Sequence, residues 1–554
     1  MTANTNPNIT KWLYLFIAAA VLVNFSGLFI TVIGPDGALY ASIAKTMVLK
    51  HDYVNLYSLG TDWLDKPHFP FWITALSFNA FGFTTWAYKL PGVLFMMMGA
   101  WYTYLFARDL YNKEIALWSV LILLTAEHIV LSNYDVRAEP YLTGLIIASV
   151  YHYYKCIKQN NYWHLLAACI FTACSIMTKG MFALIPIGGA IVGQLVITKQ
   201  WKQLFNWRWL LAIVLVLVFI LPEIYCLYQQ FDLHPEKTVF GQTGVSGIKF
   251  FFWDSQFGRF FNTGPIKGHG DPTFFIHTTL WAFLPWSLLL FAAIFQFIKK
   301  GTRNVQAYEW HCICGSLLTF LLFSASKFQL PHYLNIVYPF FAIITAQYLY
   351  NLKSERSLNA IRITQWIIIA ILLTAICALQ YFFRPDAFSW VLAAILIALF
   401  IATLILPKSV TQSIYSQVGM HTLLLSFIVN LYLNLAFYPA LLKYQAGSEA
   451  AMWINKNNPQ KMAVGQISDI PYAMQFYLDQ SLANLNAAGN GELPPKPFLL
   501  LASPDEIKTL TTLHWNIQPV KSFPFYWISR LKPDFLNKAT RDKVVVNDEL
   551  VIVR

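Results

Sequence analysis

Long apolar runs separated by short polar turns make up most of the chain as far as about residue 445. The first run, 12–33, matches the roughly 20 residues with which a helix crosses the hydrocarbon core. It is too long for a signal peptide and is followed by Gly34-Pro35-Asp36, so we expect it to remain attached. Hydropathy predicts about thirteen membrane-spanning helices, at 12–33, 90–107, 115–132, 141–156, 162–178, 181–198, 209–228, 273–298, 311–325, 333–350, 364–383, 388–406 and 418–440.

Basic residues cluster in alternate short connections, such as Arg108 with Lys113 and Lys199 with Lys202. The positive-inside rule predicts that these connections are cytoplasmic, and an odd number of crossings then places the C-terminus outside. On this map the long connections 34–89 and 229–272 both lie outside. We therefore expect the chemistry of the protein at its extracytoplasmic face, with amphipathic juxtamembrane helices in the first outer loop.

The pattern changes after residue 445, where short helical and strand patterns alternate. Ser503, followed by Asp505 and Glu506, is typical of a helix start. We predict two domains, a transmembrane domain at 1–445 and a small α/β domain at 446–554 on the outer side.

Composition supports a membrane protein, since 57% of the residues are hydrophobic and 12% are charged. The formal net charge of +12 is what basic cytoplasmic turns produce, and it also favours anionic lipids. Nucleic acid is not an expected partner, because the basic residues are scattered over many turns. All seven cysteines lie in or beside predicted spans, so structural disulfides are not expected in the outer domain.

Acidic residues stand out at the outer ends of the spans. Asp36 follows the first span, Asp65 lies in "WLDKPHFPFW", and Asp135 and Glu139 lie in "LSNYDVRAEPYLTG". Each has a plainer interpretation: a helix-boundary acid, an aromatic belt with a snorkelling lysine, or a mutual pair of Asp135 with Arg137. Their occurrence together favours a site, because charges so close to hydrocarbon normally pair or function.

Basic residues occur at the same face, among them Lys179 in "MTKGM", Lys327 in "SASKFQLPHYLNIVYP", and Arg259 and His269 in the second outer loop. Lysine and arginine neutralise phosphate oxygens and stabilise a departing phosphate. A carboxylate among them can accept a proton from a hydroxyl nucleophile or orient it. The inventory predicts glycosyl transfer from a polyprenyl-phosphate sugar.

Five motifs in order, Asp36, "DKPHFPFW", "DVRAEPYL", "TKG" and "SKFQLPHYLNIVYP", resemble the GT-C membrane glycosyltransferases of the protein O-mannosyltransferase superfamily. Within it they are most similar to the lipid A aminoarabinose transferases. The resemblance covers roughly residues 1–350 and implies a multi-pass protein of a bacterial inner membrane, with its active site and C-terminal domain facing the periplasm. The implied partners are a polyprenyl-phosphate-linked sugar donor, membrane lipids, and a lipid A, protein or glycan acceptor.

The resemblance also implies residue roles. It makes Asp36 the main catalytic carboxylate and assigns the second acid to Glu139, with Asp135 as its neighbour. The expected lipid-phosphate ligands are Lys66, Lys179, Arg259, Tyr333, Tyr40 and Lys327.

The sequence departs from the family pattern at the segment associated with a metal, which limits what the resemblance implies about metal binding. The segment that reads "EKPP" in the family is "DKPH" here, so that Asp65 replaces a metal-associated glutamate and His68 replaces a proline. A divalent cofactor, zinc or magnesium or manganese, would be held by Asp65 with His68 or His269. A lone loop histidine is more often a solvated side chain.

The reaction expected from these roles is a single inverting displacement at the anomeric carbon. Asp36 acts as the base if the acceptor is a hydroxyl and orients the acceptor if it is a lipid A phosphate. Mannosyl or other hexosyl transfer to protein or glycan hydroxyls is the alternative. A lipid transporter, which would place ionisable residues at mid-membrane in inverted repeats, and a receptor built around the C-terminal domain are the other classes.

Overall fold

The structure is a computed structural model that describes residues 7–301, 305–468, 470–485 and 493–554. Its first half is helical, with two short hairpins in outer loops. The helices are α1 Pro7–Ser26, α2 Asp36–Leu49, α3 Phe69–Phe81, α4 Thr85–Leu110, α5 Lys113–Thr125, α6 Glu127–Ser132, α7 Glu139–Gln159, α8 Tyr162–Lys179, α9 Leu184–Gly188, α10 Gln194–Ile197, α11 Trp201–Leu204, α12 Arg208–Phe219, α13 Leu221–Leu227, α14 Gly247–Lys249, α15 Arg259–Phe261, α16 Phe274–Ala282 and α17 Ser287–Lys300. The hairpins pair β1 Tyr57–Ser58 with β2 Thr61–Asp62 and β3 Thr238–Val239 with β4 Gln242–Thr243.

The second half contains further long helices and then a mixed α/β region. Its helices are α18 Trp310–Ala325, α19 Tyr338–Tyr350, α20 Glu355–Phe382, α21 Trp390–Val410, α22 Ile414–Tyr432, α23 Tyr438–Leu441, α24 Ala446–Asn457, α25 Tyr472–Tyr477, α26 Pro504–Thr512, α27 Pro533–Leu536 and α28 Lys538–Arg541. Its strands are β5 Ala463–Ile467, β6 Leu482–Leu485, β7 Phe498–Ala502, β8 Ile517–Phe525 and β9 Val546–Val553.

Six helical segments within the described ranges are long and apolar enough to cross a bilayer: Ile9–Phe29, Thr85–Leu110, Trp201–Phe219, Glu355–Phe382, Trp390–Val410 and Ile414–Tyr444. Shorter apolar helices accompany them at Phe69–Phe81, Met181–Ile197, Ser287–Lys299 and Trp310–Ala325. The chain is a polytopic helical membrane protein, as the sequence predicts. The count of about thirteen crossings and the outer location of the C-terminal domain stay predictions.

Several predicted spans are broken rather than continuous. The segment predicted at 273–298 divides into α16 and α17, with Pro285 in the break. Proline has no N–H group and its ring clashes with the preceding turn, so the helix stops before it. The segment predicted at 181–198 runs through a 3-10 turn at Met181–Ala183 and a π-helical turn at Gly189–Gly193.

Glycines allow the central helices to approach closely. A Cβ atom on Gly99 of α4 would lie 3.1 Å from the Cα atom of Gly144 in α7. A Cβ atom on Gly144 would lie 2.2 Å from the Phe95 carbonyl oxygen, closer than real atoms approach. Small residues at helix crossings bring backbones together in membranes, where packing replaces the hydrophobic effect as the driving force. The α4–α7 pair is the support from which Glu139 projects.

The first outer loop contains α2 and α3, as expected, but α2 is not amphipathic. Nearly all of its side chains from Ala38 to Val48 are buried, and its hydrophobic cluster includes Ala473 and Phe476 of the C-terminal region. α2 thus has protein on most of its circumference, because α25 packs against it.

The C-terminal region forms one five-stranded sheet in the order β6-β5-β7-β9-β8. β5 pairs in parallel with β6 and β7, whereas β9 is antiparallel to β7 and β8. The predicted helix start at Ser503 is confirmed, since Ser503 and Glu506 form a reciprocal capping box at the start of α26. The domain boundary at 445/446 stays a prediction.

Candidate active site

Asp36 begins α2, where a carboxylate complements the positive end of the helix dipole. Arg137 donates from Nη1 to Asp36 Oδ2 at 2.7 Å and from Nη2 to Asp135 Oδ2 at 2.9 Å. One guanidinium therefore joins the two predicted acids, and its bond to Asp36 spans 101 residues of sequence. Asp36 is the more accessible of the two, with 46% of its side chain exposed against 16% for Asp135.

Glu139 is the first residue of α7 and its side chain is 3% exposed. It forms an ion pair with Lys179, the last residue of α8, and its Oε1 atom lies 3.7 Å from His332 Nε2. The Lys179 ammonium also lies 3.7 Å from the centroid of the Tyr333 ring. The two predicted phosphate ligands Lys179 and Tyr333 thus meet directly at the buried acid.

The glycine of the "TKG" motif is explained by the local backbone conformation and by a close contact. Gly180 ends α8 with φ +92°, which L side chains rarely adopt. A Cβ atom there would also lie 2.2 Å from Gln256 Nε2, the atom that donates to the Lys179 carbonyl at 3.1 Å. Gly180 therefore lets the second outer loop close against the end of α8 and fix the direction of Lys179.

Asp65 pairs with two cations from different loops. Lys66 Nζ lies 2.6 Å from Asp65 Oδ2, and the Arg259 guanidinium contacts Asp65 Oδ1. Burial lowers the pKa values of Lys66 and Arg259, while the neighbouring Tyr333 opposes both shifts. Removed from water, these cations are stabilised by additional anionic oxygens nearby.

These groups line one end of a cavity that encloses about 900 Å³, including the space at its open mouth. Its charged end carries Asp65, Lys66, Lys179 and Arg259, with Tyr333 beside them. The remaining wall is mostly apolar and is contributed by α7, α13, α18 and the loops between them. That wall includes Leu64, Leu142, Phe182, Leu227, Phe250, Phe251, Phe323, Phe328 and Ile336.

The structure gathers most of the predicted site residues at this end. Tyr40 lies on α2 against Phe71, with ring centroids 5.3 Å apart, and burial followed by the charges of Glu139 and Asp36 raises its pKa. The negative charges of Glu139 and Asp36 also act on Lys66, where they oppose the lowering of its pKa by burial. The catalytic and binding roles of these residues stay predictions.

Lys327 and His269 lie apart from the group. Both side chains are exposed, and neither lines the cavity. Lys327 contributes its backbone N–H, which donates to the Phe260 carbonyl at 3.1 Å. The chain turns at this point so that Tyr333, further along the same motif, faces the cavity instead.

The predicted metal ligands do not fit an ion as they are arranged. His68 is buried, with Nδ1 3.0 Å from Glu223 Oε1 and Nε2 2.9 Å from the Val54 carbonyl oxygen. Both oxygens of Asp65 already face cations. Across the described ranges, no group of three or more His, Cys, Asp or Glu side chains is placed to hold a metal. A metal requirement stays a prediction, and no step below uses one.

Three residues that contact predicted site residues were not predicted from the sequence. His332 lies near Glu139, Glu223 contacts His68, and Gln256 donates to the Lys179 carbonyl. Glu223 had a usable signal, because it is a lone acid inside an apolar run. No sequence pattern marks His332 or Gln256, because their importance depends on which distant residues they contact in the folded chain.

Comparisons with known proteins find similarity to membrane sugar transferases. Residues 65–226 match the family model described as dolichyl-phosphate-mannose-protein mannosyltransferase. An undecaprenyl phosphate-alpha-4-amino-4-deoxy-L-arabinose arabinosyl transferase 2 of Proteus mirabilis (strain HI4320) is 26% identical over 382 residues, covering 66% of this chain and 66% of that relative. The corresponding transferase of Edwardsiella ictaluri (strain 93-146) is 26% identical, over 63% of this chain and 61% of the relative.

A solved structure is similar over nearly the whole chain. The crystal structure of ArnT from Cupriavidus metallidurans bound to undecaprenyl phosphate superposes with a TM-score of 0.73 and 19% sequence identity. The superposition covers 98% of each chain. At this identity the likeness establishes the fold.

Proposed function

We propose that this chain is a GT-C membrane glycosyltransferase of the protein O-mannosyltransferase superfamily and that it transfers a sugar from an undecaprenyl-phosphate carrier to an extracytoplasmic acceptor. The observation that carries the proposal is the cavity, whose charged end joins Lys66, Lys179 and Arg259 to an apolar wall. A polyprenyl phosphate has the same division into a charged head and an apolar tail. The relatives in Proteus mirabilis and Edwardsiella ictaluri are named for an undecaprenyl-phosphate aminoarabinose donor.

The cations stabilise the leaving group of the reaction. As the bond between the anomeric carbon and the phosphate oxygen breaks, its electron pair stays on the phosphate. Lys66 and Arg259 then stabilise the added negative charge, a role for which their partial burial suits them. Asp65 holds both cations in place before the donor enters.

Asp36 supplies the acceptor side. It is the exposed member of the Asp36–Arg137–Asp135 group, so an acceptor can reach it. If the acceptor is a hydroxyl, its oxygen attacks the anomeric carbon and its proton passes to Asp36. If the acceptor is a phosphate, it arrives ionised, and Asp36 with Arg137 orients it. Glu139, buried and paired with Lys179, fixes the position of that cation.

We propose aminoarabinose as the sugar and a lipid A phosphate as the acceptor. Support comes from the relatives' donor and from the resemblance of Asp36, "DKPH", "TKG" and "LPHY" to the lipid A aminoarabinose transferases. An inner-membrane location with the site facing the periplasm follows from the basic turns assigned to the cytoplasm.

The test offers purified protein a panel of undecaprenyl-phosphate sugars, with lipid A or a hydroxyl acceptor, and identifies products by mass. We expect aminoarabinose on lipid A phosphate and free undecaprenyl phosphate. Asp36→Asn should reduce transfer by about 100-fold, because the acceptor is no longer correctly oriented, while Lys267→Met, an exposed lysine of the same outer loop as Arg259, should not. Transfer of every sugar by Asp36→Asn at the wild-type rate would remove Asp36 from the mechanism.

A further inference from the structure

The segment that leads into Asp36 is held by residues of the C-terminal region. The Val32 N–H group donates to Tyr477 Oη at 2.8 Å, and the Gly34 N–H group donates to Gln445 Oε1 at 2.8 Å. Gln445 also donates from Nε2 to the Val32 carbonyl at 3.1 Å. The Gln445 amide thus satisfies backbone groups on both sides of Ile33, as a neighbouring strand would.

The same region also holds the far end of α2. The Lys45 ammonium donates to the carbonyls of Phe476 at 2.9 Å and of Leu478 at 2.5 Å, at the C-terminal end of α25. A cation placed there compensates the negative end of that helix. Tyr477 adds a hydrogen bond of 2.8 Å to Thr85 Oγ1 at the start of α4.

Little space remains for the Asp36 segment to shift. A Cβ atom on Gly34 would lie 3.2 Å from Gln445 Oε1, and one on Gly37 would lie 3.3 Å from Asp135 Oδ1. Lys89, fully buried in α4, donates to the carbonyls of Gly27 and Ile30 on the preceding turn. The backbone before Asp36 is therefore held from the membrane helices and from the C-terminal region together.

We propose that Gln445, the residue directly before the predicted C-terminal domain, and Tyr477 within that domain are positioning residues for Asp36, so that the C-terminal domain and its junction complete the active site. Through their hydrogen bonds to Val32 and Gly34 they fix where α2 begins, and hence the direction of the Asp36 carboxylate toward Arg137 and the acceptor. The proposal rests on the proposed glycosyl transfer and adds a role for the domain that carries no catalytic motif.

A separate contact attaches the domain to the membrane helices, which makes the proposal testable. Arg541 donates from Nη2 to the Phe383 carbonyl at 2.7 Å and from Nη1 to Tyr444 Oη at 3.1 Å. This guanidinium lies 4.1 Å from the Phe383 ring centroid. Because the contacts of Arg541 with Phe383 involve neither Gln445 nor Tyr477, variants at those two positions should leave the domain in place.

The experiment compares Gln445→Met and Tyr477→Phe with matched controls in the same domain. The controls are Gln480→Met, which loses a bond to the Met462 carbonyl, and Tyr526→Phe, which loses a bond to the Arg530 carbonyl. Each purified full-length variant is measured for kcat, for the Kd of undecaprenyl phosphate, for thermal unfolding, and for hydrogen exchange of residues 30–38.

We expect Gln445→Met and Tyr477→Phe to lower kcat by about 10- to 100-fold, because a small misplacement of a catalytic group is costly. The Kd should stay within about twofold of the wild type, and exchange at Val32 and Gly34 should rise about fivefold. The controls should behave as the wild type in all four measurements.

Two outcomes would overturn the positioning role alone: an unchanged kcat in an active enzyme, or an equal fall of kcat in the controls. A parallel loss of undecaprenyl phosphate binding and thermal stability would also overturn it, since that pattern indicates general unfolding. A wild-type protein that binds no undecaprenyl phosphate and transfers no sugar would instead overturn the proposed function, and the positioning role with it.

Discussion

At the scale of single residues, the site is a set of cations held in place by acids. Asp65 contacts Lys66 and Arg259, and Glu139 contacts Lys179, so these three predicted phosphate ligands each have a carboxylate partner. These pairs keep buried cations from being left unpaired in the absence of a donor. The proposed lipid phosphate would join a group of charges that is already ordered, so its binding would cost little rearrangement.

Two of the three lysines that the sequence assigned to phosphate binding, Lys66 and Lys327, differ in where the structure places their side chains. Lys66 lines the cavity, whereas the Lys327 side chain is exposed to solvent. We expect Lys66→Met to weaken binding of undecaprenyl phosphate by about 10- to 100-fold, the usual effect of losing a hydrogen bond to a charged group. Lys327→Met should change the Kd by less than about twofold. Equal losses, measured with the purified proteins, would show that the phosphate lies elsewhere.

At the scale of elements, the sequence predicted which segments are apolar, but it did not predict where a helix breaks inside such a segment. The run 273–298 is apolar throughout, yet Pro285 divides it into α16 and α17. Hydropathy reports the environment of a segment and is insensitive to a break inside it. The capping box at Ser503 was predictable because all of its parts lie within four residues.

The α4–α7 crossing makes a prediction about stability. Gly144→Ala would place a methyl group against the Phe95 carbonyl, so the helices must separate. We expect a loss of about 1–3 kcal/mol, typical of overpacking, seen as a lower midpoint of thermal unfolding in detergent. Gly188→Ala is the control, because a Cβ atom there meets nothing within 4 Å. A normal midpoint for Gly144→Ala would mean that this close approach is not required.

At the scale of the whole molecule, the active site depends on contacts between parts far apart in the sequence. Arg259 reaches Asp65 across 194 residues, and Tyr477 reaches Val32 across 445. Periodicity and local motifs carry no information about which distant residues meet, so neither contact could be predicted from one sequence. The acidic and basic residues of the site could be predicted, because charged side chains at the end of an apolar run are rare and normally pair or have a function.

The C-terminal domain has a pH dependence of its own. Burial, with a smaller contribution from the Glu506 charge, raises the pKa of Asp548 to about 7. An unfolded aspartate has a pKa of about 3.9, so between about pH 4 and 7 the folded state binds more protons, and stability falls as the pH rises through that window. Asp548→Asn cannot ionise and should unfold at a higher temperature than the wild type at pH 8.

That gain should shrink as the pH is lowered and vanish near pH 4, where the wild-type carboxyl is protonated in both states. Thermal unfolding of the full-length protein at pH 5 and pH 8 measures it. Asp542→Asn, an exposed aspartate of the same domain, is the control and should show no pH-dependent gain. A gain for Asp548→Asn that is equal at both pH values would contradict the raised pKa.

The central claim is that the cavity lined by Lys66, Lys179 and Arg259 receives a lipid-linked phosphate, and a structure of the protein bound to undecaprenyl phosphate tests it most directly. The account predicts phosphate oxygens at about 3 Å from Lys66 and Arg259, with the isoprenoid chain along Leu142, Phe182 and Phe323. A phosphate placed away from these cations, for instance at the separate apolar cavity lined by Phe291, Leu317 and Tyr348, would contradict it.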